Sequence, residues 1–168
     1  SPAEFSALQA YTGGSYSYYN APLSDKAMTS GEIDLYWLRA AELTSLVDAA
    51  LRKLPIFPHM TWRGLSLSES ERAQLLPGRI WKTPHLLSTS AKVNGGFTNS
   101  VKLVITGLSG RDISQISSHP NEKEVLFPSE SRFLITAVEK KGGTSENNLI
   151  VYMRELPEIE FNDLDVTP

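Results

Sequence analysis

The segment Asn121-Glu122-Lys123-Glu124-Val125-Leu126-Phe127 places two carboxylates two residues apart at the start of an apolar run. A short apolar run that follows polar residues predicts a β-strand. In a strand, residues i and i+2 project to the same face, so we expect Glu122 and Glu124 to lie side by side above a sheet. Such a pair can divide the work of charge stabilisation and proton transfer. The plainer interpretation is a solvated strand end, because exposed glutamate is common.

Five further segments beyond Pro58 have the same strand-like pattern, with short runs near period two bounded by Gly, Pro, Ser and Asn. These segments are Met60–Leu65, His85–Thr89, Ser100–Thr106, Arg132–Lys140 and Leu149–Glu155, and with Glu122–Phe127 they make six predicted strands. After the first of them, Ser68-Glu69-Ser70-Glu71 opening into Arg72–Leu76 predicts a short capped helix, which Pro77-Gly78 ends.

The first third of the chain is predicted to be helical. Thr29 is suited to cap a helix with Glu32 three residues on, and Pro55 and Pro58 would end it. Apolar and small residues recur at three- and four-residue spacing between them, namely Ile33, Trp37, Ala40, Ala41, Thr44, Val47, Leu51 and Leu54. Helices first and strands later predict the α+β class.

The composition indicates one folded unit and excludes several classes of function. The chain has 168 residues, of which 40% are apolar, which is enough for one sizeable core. We therefore expect a single domain over residues 1–168, with a loosely held acidic tail over 157–168. A net charge of -3 lacks the cationic excess that duplex nucleic acid requires, so nucleic acid is not expected as a partner.

The residue types also limit metals and membranes. The chain has no cysteine, and therefore no disulfide or thiolate metal site. His59, His85 and His119 are far apart and lack metal-ligand spacing. No run approaches the ~20 apolar residues of a membrane span. A start without methionine or a signal peptide leads us to expect an excised domain or a processed chain.

Two other strand boundaries carry polar side chains suited to a ligand. Arg63 lies inside the apolar segment Thr61-Trp62-Arg63-Gly64, and an inward guanidinium would need an anion such as a diphosphate. Gly64 would let a ligand approach the backbone. Downstream, Leu86–Ala91 carries three hydroxyls that could orient a carboxylate or a ribose, those of Ser88, Thr89 and Ser90. Taken singly, each has a commoner explanation, an arginine reaching water and a turn cap.

The order of the three motifs is more specific than any one of them. An Arg-Gly strand, then Ser-Thr-Ser, then Glu-x-Glu resembles the mono-ADP-ribosyltransferases of that class, which include cholera-toxin-like and actin-modifying bacterial toxins and vertebrate ecto-enzymes. The resemblance runs from about Tyr11 to Val138. It includes Tyr11-Thr12-Gly13-Gly14-Ser15-Tyr16 with Asn20 and Leu23, and Gly110-Arg111-Asp112-Ile113 leading to Glu124-Val125-Leu126-Phe127-Pro128. The implied fold is α+β, with N-terminal helices packed on two antiparallel sheets and an NAD cleft between them.

The resemblance also implies a role for each motif residue. Glu124 would be the catalytic glutamate that binds the 2'-hydroxyl of the nicotinamide ribose and faces the developing oxocarbenium. Glu122 would activate an incoming guanidinium. Arg63 would anchor the NAD phosphates or the adjoining ribose, and Gly64 would let the amide side of NAD lie against the backbone. Ser88 would hold Glu124 and touch the ribose.

The remaining implied site residues lie in turns and loops. Thr89 and Ser90 would support the turn and line the NAD site. Residues 91–99, with Asn94-Gly95-Gly96-Phe97, would close over phosphate and nicotinamide, with Phe97 as a stacking face. Residues 114–123 would meet the target protein.

The activity so implied is NAD-dependent mono-ADP-ribosylation of a protein arginine, with NAD as co-substrate and no metal. The acceptor would be an arginine of actin, a small GTPase or a bacterial protein. The implied setting is a secreted bacterial effector, monomeric and possessing a cognate immunity or inhibitor protein, that acts in the cytoplasm of the target cell.

Three alternatives stay open at the level of sequence. An NAD glycohydrolase would pass the ribose to water. A carbohydrate hydrolase would need its carboxylates roughly 5 Å or more apart across a sugar, which neighbouring same-face residues reach only at the short end. A catalytically degenerate module of the same fold would only bind a protein.

Overall fold

The computed structural model describes residues 1–10, 12, 42–83, 86–93, 100–117, 119–141 and 148–157. Three α-helices lie in these ranges: α1 (Pro2–Ala10), α2 (42–52) and α3 (Glu69–Ala73). The strands are β1 (Met60–Leu65), β2 (Ile80–Lys82), β3 (Leu87–Ser90), β4 (Val101–Thr106), β5 (Arg111–Asp112), β6 (Glu124–Phe127), β7 (Arg132–Lys140) and β8 (Leu149–Glu155). A 3-10 helix, Pro120–Glu122, precedes β6.

The eight strands follow the order β2-β7-β8-β4-β1-β3-β6-β5. A single register pair, Trp62 with Ser90, joins β1 to β3, so the sheet divides into a five-stranded part and a three-stranded part. The α+β prediction is confirmed. The expectation of purely antiparallel pairing is corrected at one place, because β4 and β8 pair in parallel. The chain runs through β5, β6 and β7 between them, and so long a connection permits a parallel pair.

The two parts of the sheet pack face to face around one apolar core. Phe127 of β6 meets Phe133 of β7 edge-to-face, with ring centroids 5.3 Å apart, and both rings are fully buried. The same cluster contains Leu87 and Val125 from the three-stranded part and Leu103 from the five-stranded part. Side chains from both parts of the sheet interdigitate to form this core, so the predicted packing of two sheet layers is confirmed.

A second core fixes the helices on the outer face of the three-stranded part. Leu8 of α1 and Leu51 of α2 pack there against Leu126 of β6, and none is more than 1% exposed. The predicted apolar stripe is confirmed where the structure describes it, since Val47 is also fully buried. The helix ends at residue 52, before Pro55. Its predicted start at Thr29 lies outside the described residues.

Strand prediction succeeds for the strands of four or more residues and fails for the two shorter ones. The bounds of β1, β7 and β8 match the predicted segments, and β3 and β4 differ by one or two residues. The sequence does not reveal β2 and β5, because strands of three and two residues are too short to show period two.

The capped helix is confirmed as α3, with a shift in its end. Ser68 accepts from the Glu71 backbone while the Glu71 side chain accepts from the Ser68 backbone, a complete capping box. The helix ends at Ala73, three residues before the predicted Leu76, and Leu75 turns into the core. Among the described helices, none is long and apolar enough to cross a membrane.

Candidate functional site

Strands β1, β3 and β6 are consecutive in the sheet, and residues on all three line a cleft of about 390 Å³. Ser90 lies between the other two motifs, since its register partners are Trp62 on β1 and Glu124 on β6. The described residues that line the cleft are Trp62, Arg63, Gly64, Ser88, Thr89, Ser90, Lys92, Asn121, Glu122 and Glu124. The structure therefore brings together three motifs whose outermost site residues, Arg63 and Glu124, lie 61 positions apart in the chain.

Glu124 is the best-held carboxylate of the cleft. It opens β6, is 9% exposed, and accepts a hydrogen bond of 2.8 Å from the Ser88 hydroxyl at its Oε1. Burial raises the pKa of Glu124 above its ordinary value, with Glu122 contributing in the same direction, although the Ser88 hydrogen bond and the charges of Arg63 and His119 oppose the shift. A carboxylate of this kind has a fixed direction and interacts strongly with any positive charge that forms in front of it.

Glu122 does not occupy the strand position predicted for it. It ends the 3-10 helix Pro120–Glu122, and Lys123 follows in the left-handed region with φ of 47°. The reason is local, because Pro120 favours the start of a tight helical turn and the chain must reverse before β6 begins. The two carboxylates therefore do not share a strand face by i, i+2 alternation. They line the same cleft all the same, with Glu122 exposed and Glu124 buried.

The three hydroxyls of β3 all donate to residues 122–125. Ser88 donates to the Glu124 carboxylate, Thr89 to the Val125 carbonyl at 2.7 Å, and Ser90 to the Glu122 carbonyl at 2.8 Å. Thr89 is buried, and its hydroxyl is committed to that carbonyl. The Ser-Thr-Ser motif thus fixes the Glu-x-Glu segment from one end to the other.

Arg63 lies on β1 beside the cleft with an exposed side chain. Its guanidinium makes no hydrogen bond or ion pair with any residue that the structure describes. Gly64 follows it on the cleft wall without a side chain to obstruct a ligand. A planar cation with five donors is therefore available to an anion bound in the cleft.

Three cleft residues were not singled out as site residues from the sequence. Trp62 lies in the Arg-Gly strand, and its position next to Arg63 could have indicated that it lines the cleft. Lys92 stands two residues after Ser-Thr-Ser, and Asn121 stands immediately before Glu122. Phe97 and the other residues of 94–99 lie outside the described part of the chain, as does the motif at 11–16 apart from Thr12.

The segment predicted to meet a target protein begins with an ordered turn. Asp112 accepts at its Oδ1 from the Ser114 backbone at 2.9 Å and from the Ser114 hydroxyl at 2.6 Å.

Within the described ranges, no three His, Asp or Glu side chains are grouped as metal ligands.

A two-layer α+β fold that gathers an arginine, a Ser-Thr-Ser strand and a Glu-x-Glu pair around one cleft defines the class of ADP-ribosyltransferase catalytic domains. Sequence comparison agrees: residues 1–157 match the ADP-ribosyltransferase exoenzyme family. The chain belongs to this family, and the predicted family resemblance is confirmed.

Individual relatives support the same assignment. The chain is similar to the NAD(+)--protein-arginine ADP-ribosyltransferase Tre1 of Serratia proteamaculans, with 30% identity over 156 residues that cover 92% of this chain and 32% of that protein. It spans between 16% and 32% of the length of the curated relatives it matches.

Solved structures show the same fold. Vis toxin, an ADP-ribosyltransferase from Vibrio splendidus, superposes with a TM-score of 0.73 at 23% identity, covering 94% of this chain and 74% of that one. The catalytic domain of VahC from Aeromonas hydrophila superposes with a TM-score of 0.73 at 21% identity, covering 92% and 98%.

Proposed function

We propose that this domain transfers ADP-ribose from NAD to an arginine of a target protein. The observation that carries the proposal is the convergence in one cleft of a buried carboxylate held by a serine and a guanidinium that no described residue pairs. Membership of the family and the names of relatives such as Tre1, an NAD(+)--protein-arginine ADP-ribosyltransferase, support it.

In this proposal the nicotinamide-ribose bond breaks first. The bonding electron pair leaves with nicotinamide, which becomes neutral, and the ribose carbon becomes an oxocarbenium. The Glu124 carboxylate binds the 2'-hydroxyl beside that carbon and stabilises the positive charge, because a preoriented anion in a partly buried site costs no reorganisation. Ser88 holds the carboxylate in place through its 2.8 Å hydrogen bond.

The transfer step then uses Glu122. An acceptor arginine is protonated in water, so one guanidinium proton must leave as its nitrogen bonds to the ribose carbon. We assign that proton to the Glu122 carboxylate, which lines the cleft and is exposed, so that an acceptor on a protein partner could reach it. The balance is NAD plus arginine giving nicotinamide, ADP-ribosyl-arginine and one proton.

Arg63 would grip the diphosphate of NAD, for which its paired donors are suited. Gly64 would admit the nicotinamide amide. Thr89 and Ser90 would act by positioning, since their hydroxyls hold the backbone of residues 122–125. Phe97 stays a proposed stacking residue, and no step is assigned to a metal.

The wider setting is also part of the proposal. We propose a single catalytic domain, monomeric, within a bacterial effector that is secreted, acts in the cytoplasm of its target cell and has a cognate immunity protein. Its acceptor would be an arginine of actin, a small GTPase or a bacterial protein. Relatives named as bacterial toxins support this setting.

The deciding experiment incubates the domain with NAD labelled on its adenylate part and with eukaryotic and bacterial lysates. Transfer predicts label on protein bands and an ADP-ribose mass on arginine, absent with Glu124→Gln. Free ADP-ribose without labelled protein would instead establish an NAD glycohydrolase. Failure of calorimetry to detect any NAD binding would establish a protein-binding module without catalysis.

A further inference from the structure

Glu155 is a buried carboxylate that the proposed mechanism does not use. It ends β8, is 6% exposed, and forms no ion pair with any residue that the structure describes. Its side chain accepts from two consecutive residues of the loop 107–110. The Leu108 and Ser109 N–H groups donate to Oε2, the second at 2.7 Å, and the Ser109 hydroxyl donates to Oε1. A carboxylate buried without a cation depends on such donors.

The loop 107–110 connects the two parts of the sheet. It follows β4, which pairs with β1 and β8 in the five-stranded part, and it precedes β5, which pairs with β6 in the three-stranded part. Within the described strands, a single register pair, Trp62 with Ser90, joins the two parts directly. Because Glu155 stands on β8, its contact with the loop fixes this crossing to the five-stranded part.

The far end of the loop is fixed to β6, the strand that Glu124 begins. The Ile113 N–H donates to the Glu124 carbonyl at 3.1 Å. The loop itself lies against the Phe127 ring, since a Cβ added at Gly107 would be 2.6 Å from its Cζ. Packing this close leaves no space for the loop to move inward. A displacement of the loop would therefore also displace β5 and β6.

The cleft is lined by residues from both parts of the sheet. Arg63 lies on β1, whereas Ser88 and Glu124 lie on β3 and β6. The Ser88–Glu124 hydrogen bond is therefore internal to one part, but the distance from Glu124 to Arg63 depends on how the two parts are held together. A substrate that contacts both residues needs that distance to be constant, because a displacement of about 1 Å can cost about 100-fold in rate.

We propose that Glu155 is a positioning residue for the ADP-ribose transfer reaction. By binding the loop 107–110, it holds Glu124 at the distance from Arg63 that NAD requires. Glu155 is not among the described residues that line the cleft, so it acts through the loop and not on the substrate. The inference rests on the proposed function.

The first test measures NAD hydrolysis, with water as acceptor, below the melting temperature of every variant. Glu155→Ala should lower kcat about tenfold and change the KM less than about threefold, because Arg63 still binds the diphosphate while Glu124 is misplaced. Glu155→Gln should stay close to wild type. Its amide oxygen can accept from both N–H groups, and its NH₂ group can donate to the Ser109 hydroxyl, which is also an acceptor.

The pH profile distinguishes displacement of Glu124 from a change in its ionisation. Glu155→Ala should lower kcat at every pH without moving the pH at which activity falls, because the Ser88–Glu124 hydrogen bond is kept. Ser109→Ala removes only the hydroxyl donor, so it should show the same pattern to a smaller extent. It replaces Glu155→Ala in these measurements if that variant does not fold.

Asp48→Ala is the matched control. Asp48 accepts from the Ser129 N–H at 3.1 Å and from the Ser129 hydroxyl, which is the same kind of contact. It binds the 128–131 turn to α2, which packs on the three-stranded part, and not the loop 107–110 to β8. Its loss should lower the melting temperature and leave kcat near wild type. Equal falls of kcat in Asp48→Ala and Glu155→Ala would show general loosening and overturn the inference.

Distances between spin labels test the contact without activity. The chain has no cysteine, so Ser45→Cys on α2 and Lys140→Cys on β7 give two exposed labelling positions, one on each part of the sheet. Glu155→Ala should broaden the distance distribution, and Glu155→Gln should keep it narrow. A wild-type distribution or a wild-type kcat in Glu155→Ala overturns the inference while the proposed function stands. A wild-type domain that neither binds nor hydrolyses NAD overturns both.

Discussion

The hydrogen bond between Ser88 and Glu124 gives the most discriminating prediction. Ser88→Ala removes the 2.8 Å donor from a carboxylate that is 9% exposed, where little water can replace it. A hydrogen bond to the charged form lowers a pKa, so its loss raises the pKa of Glu124 further. A hydrogen bond to a charged group is worth roughly 1.5–3 kcal/mol, which corresponds to about a 10- to 150-fold decrease in the ratio of ionised to neutral Glu124.

The assay is the pH dependence of kcat/KM for NAD hydrolysis. Burial already raises the pKa of Glu124 in the wild type, so its activity should fall, as pH decreases, at a higher pH than an ordinary glutamate allows. In Ser88→Ala that fall should begin at a still higher pH, and the two profiles should approach each other at alkaline pH. Ser90→Ala is the control, because the Ser90 hydroxyl donates to a carbonyl. If Ser88→Ala only scales the profile vertically, Ser88 does not tune the ionisation of Glu124.

Three further substitutions test the division of labour in the cleft. Glu124→Gln should lower both ADP-ribose transfer and NAD hydrolysis by roughly 100-fold or more, measured as nicotinamide release, and near-normal turnover would refute its role. Glu122→Gln should lower transfer to an arginine analogue far more than hydrolysis, whereas equal losses would contradict an acceptor-side role. Arg63→Lys keeps the charge but loses the fork, so calorimetry should show NAD binding weakened about tenfold with an unchanged thermal melt.

The sequence predicted those parts of the fold that rest on long repeating patterns. Nine residues of β7 and seven of β8 are enough to show their period, and their bounds were predicted correctly. The pairing of β4 with β8 could not be predicted, because the two strands are far apart in sequence and their direction depends on packing of the whole sheet.

The sequence predicted which residues line the cleft better than it predicted their backbone conformation. Arg63, Ser88 and Glu124 do meet, but the sequence gives no reason to expect a left-handed Lys123 between the two glutamates. That backbone conformation is uncommon for a residue other than glycine, so local propensity favours a continued strand. Here the neighbours override propensity, since Ala91 donates to the Lys123 carbonyl and Ser90 to that of Glu122.

The burial of Glu124 connects the stability of the domain with its chemistry. Because its pKa is raised in the folded protein, the ionised carboxylate lowers the free energy of unfolding as pH rises through that pKa. The folded protein therefore accommodates the neutral form of Glu124 at a lower free energy than the ionised form. The hydrogen bond from Ser88 offsets part of the cost of burying the ionised form. In the proposed mechanism, an oxocarbenium in the cleft would offset more of that cost, since it would supply the opposite charge that Arg63 and His119 provide only in part. In that mechanism, the same burial that disfavours the resting carboxylate would strengthen its attraction to a cationic transition state.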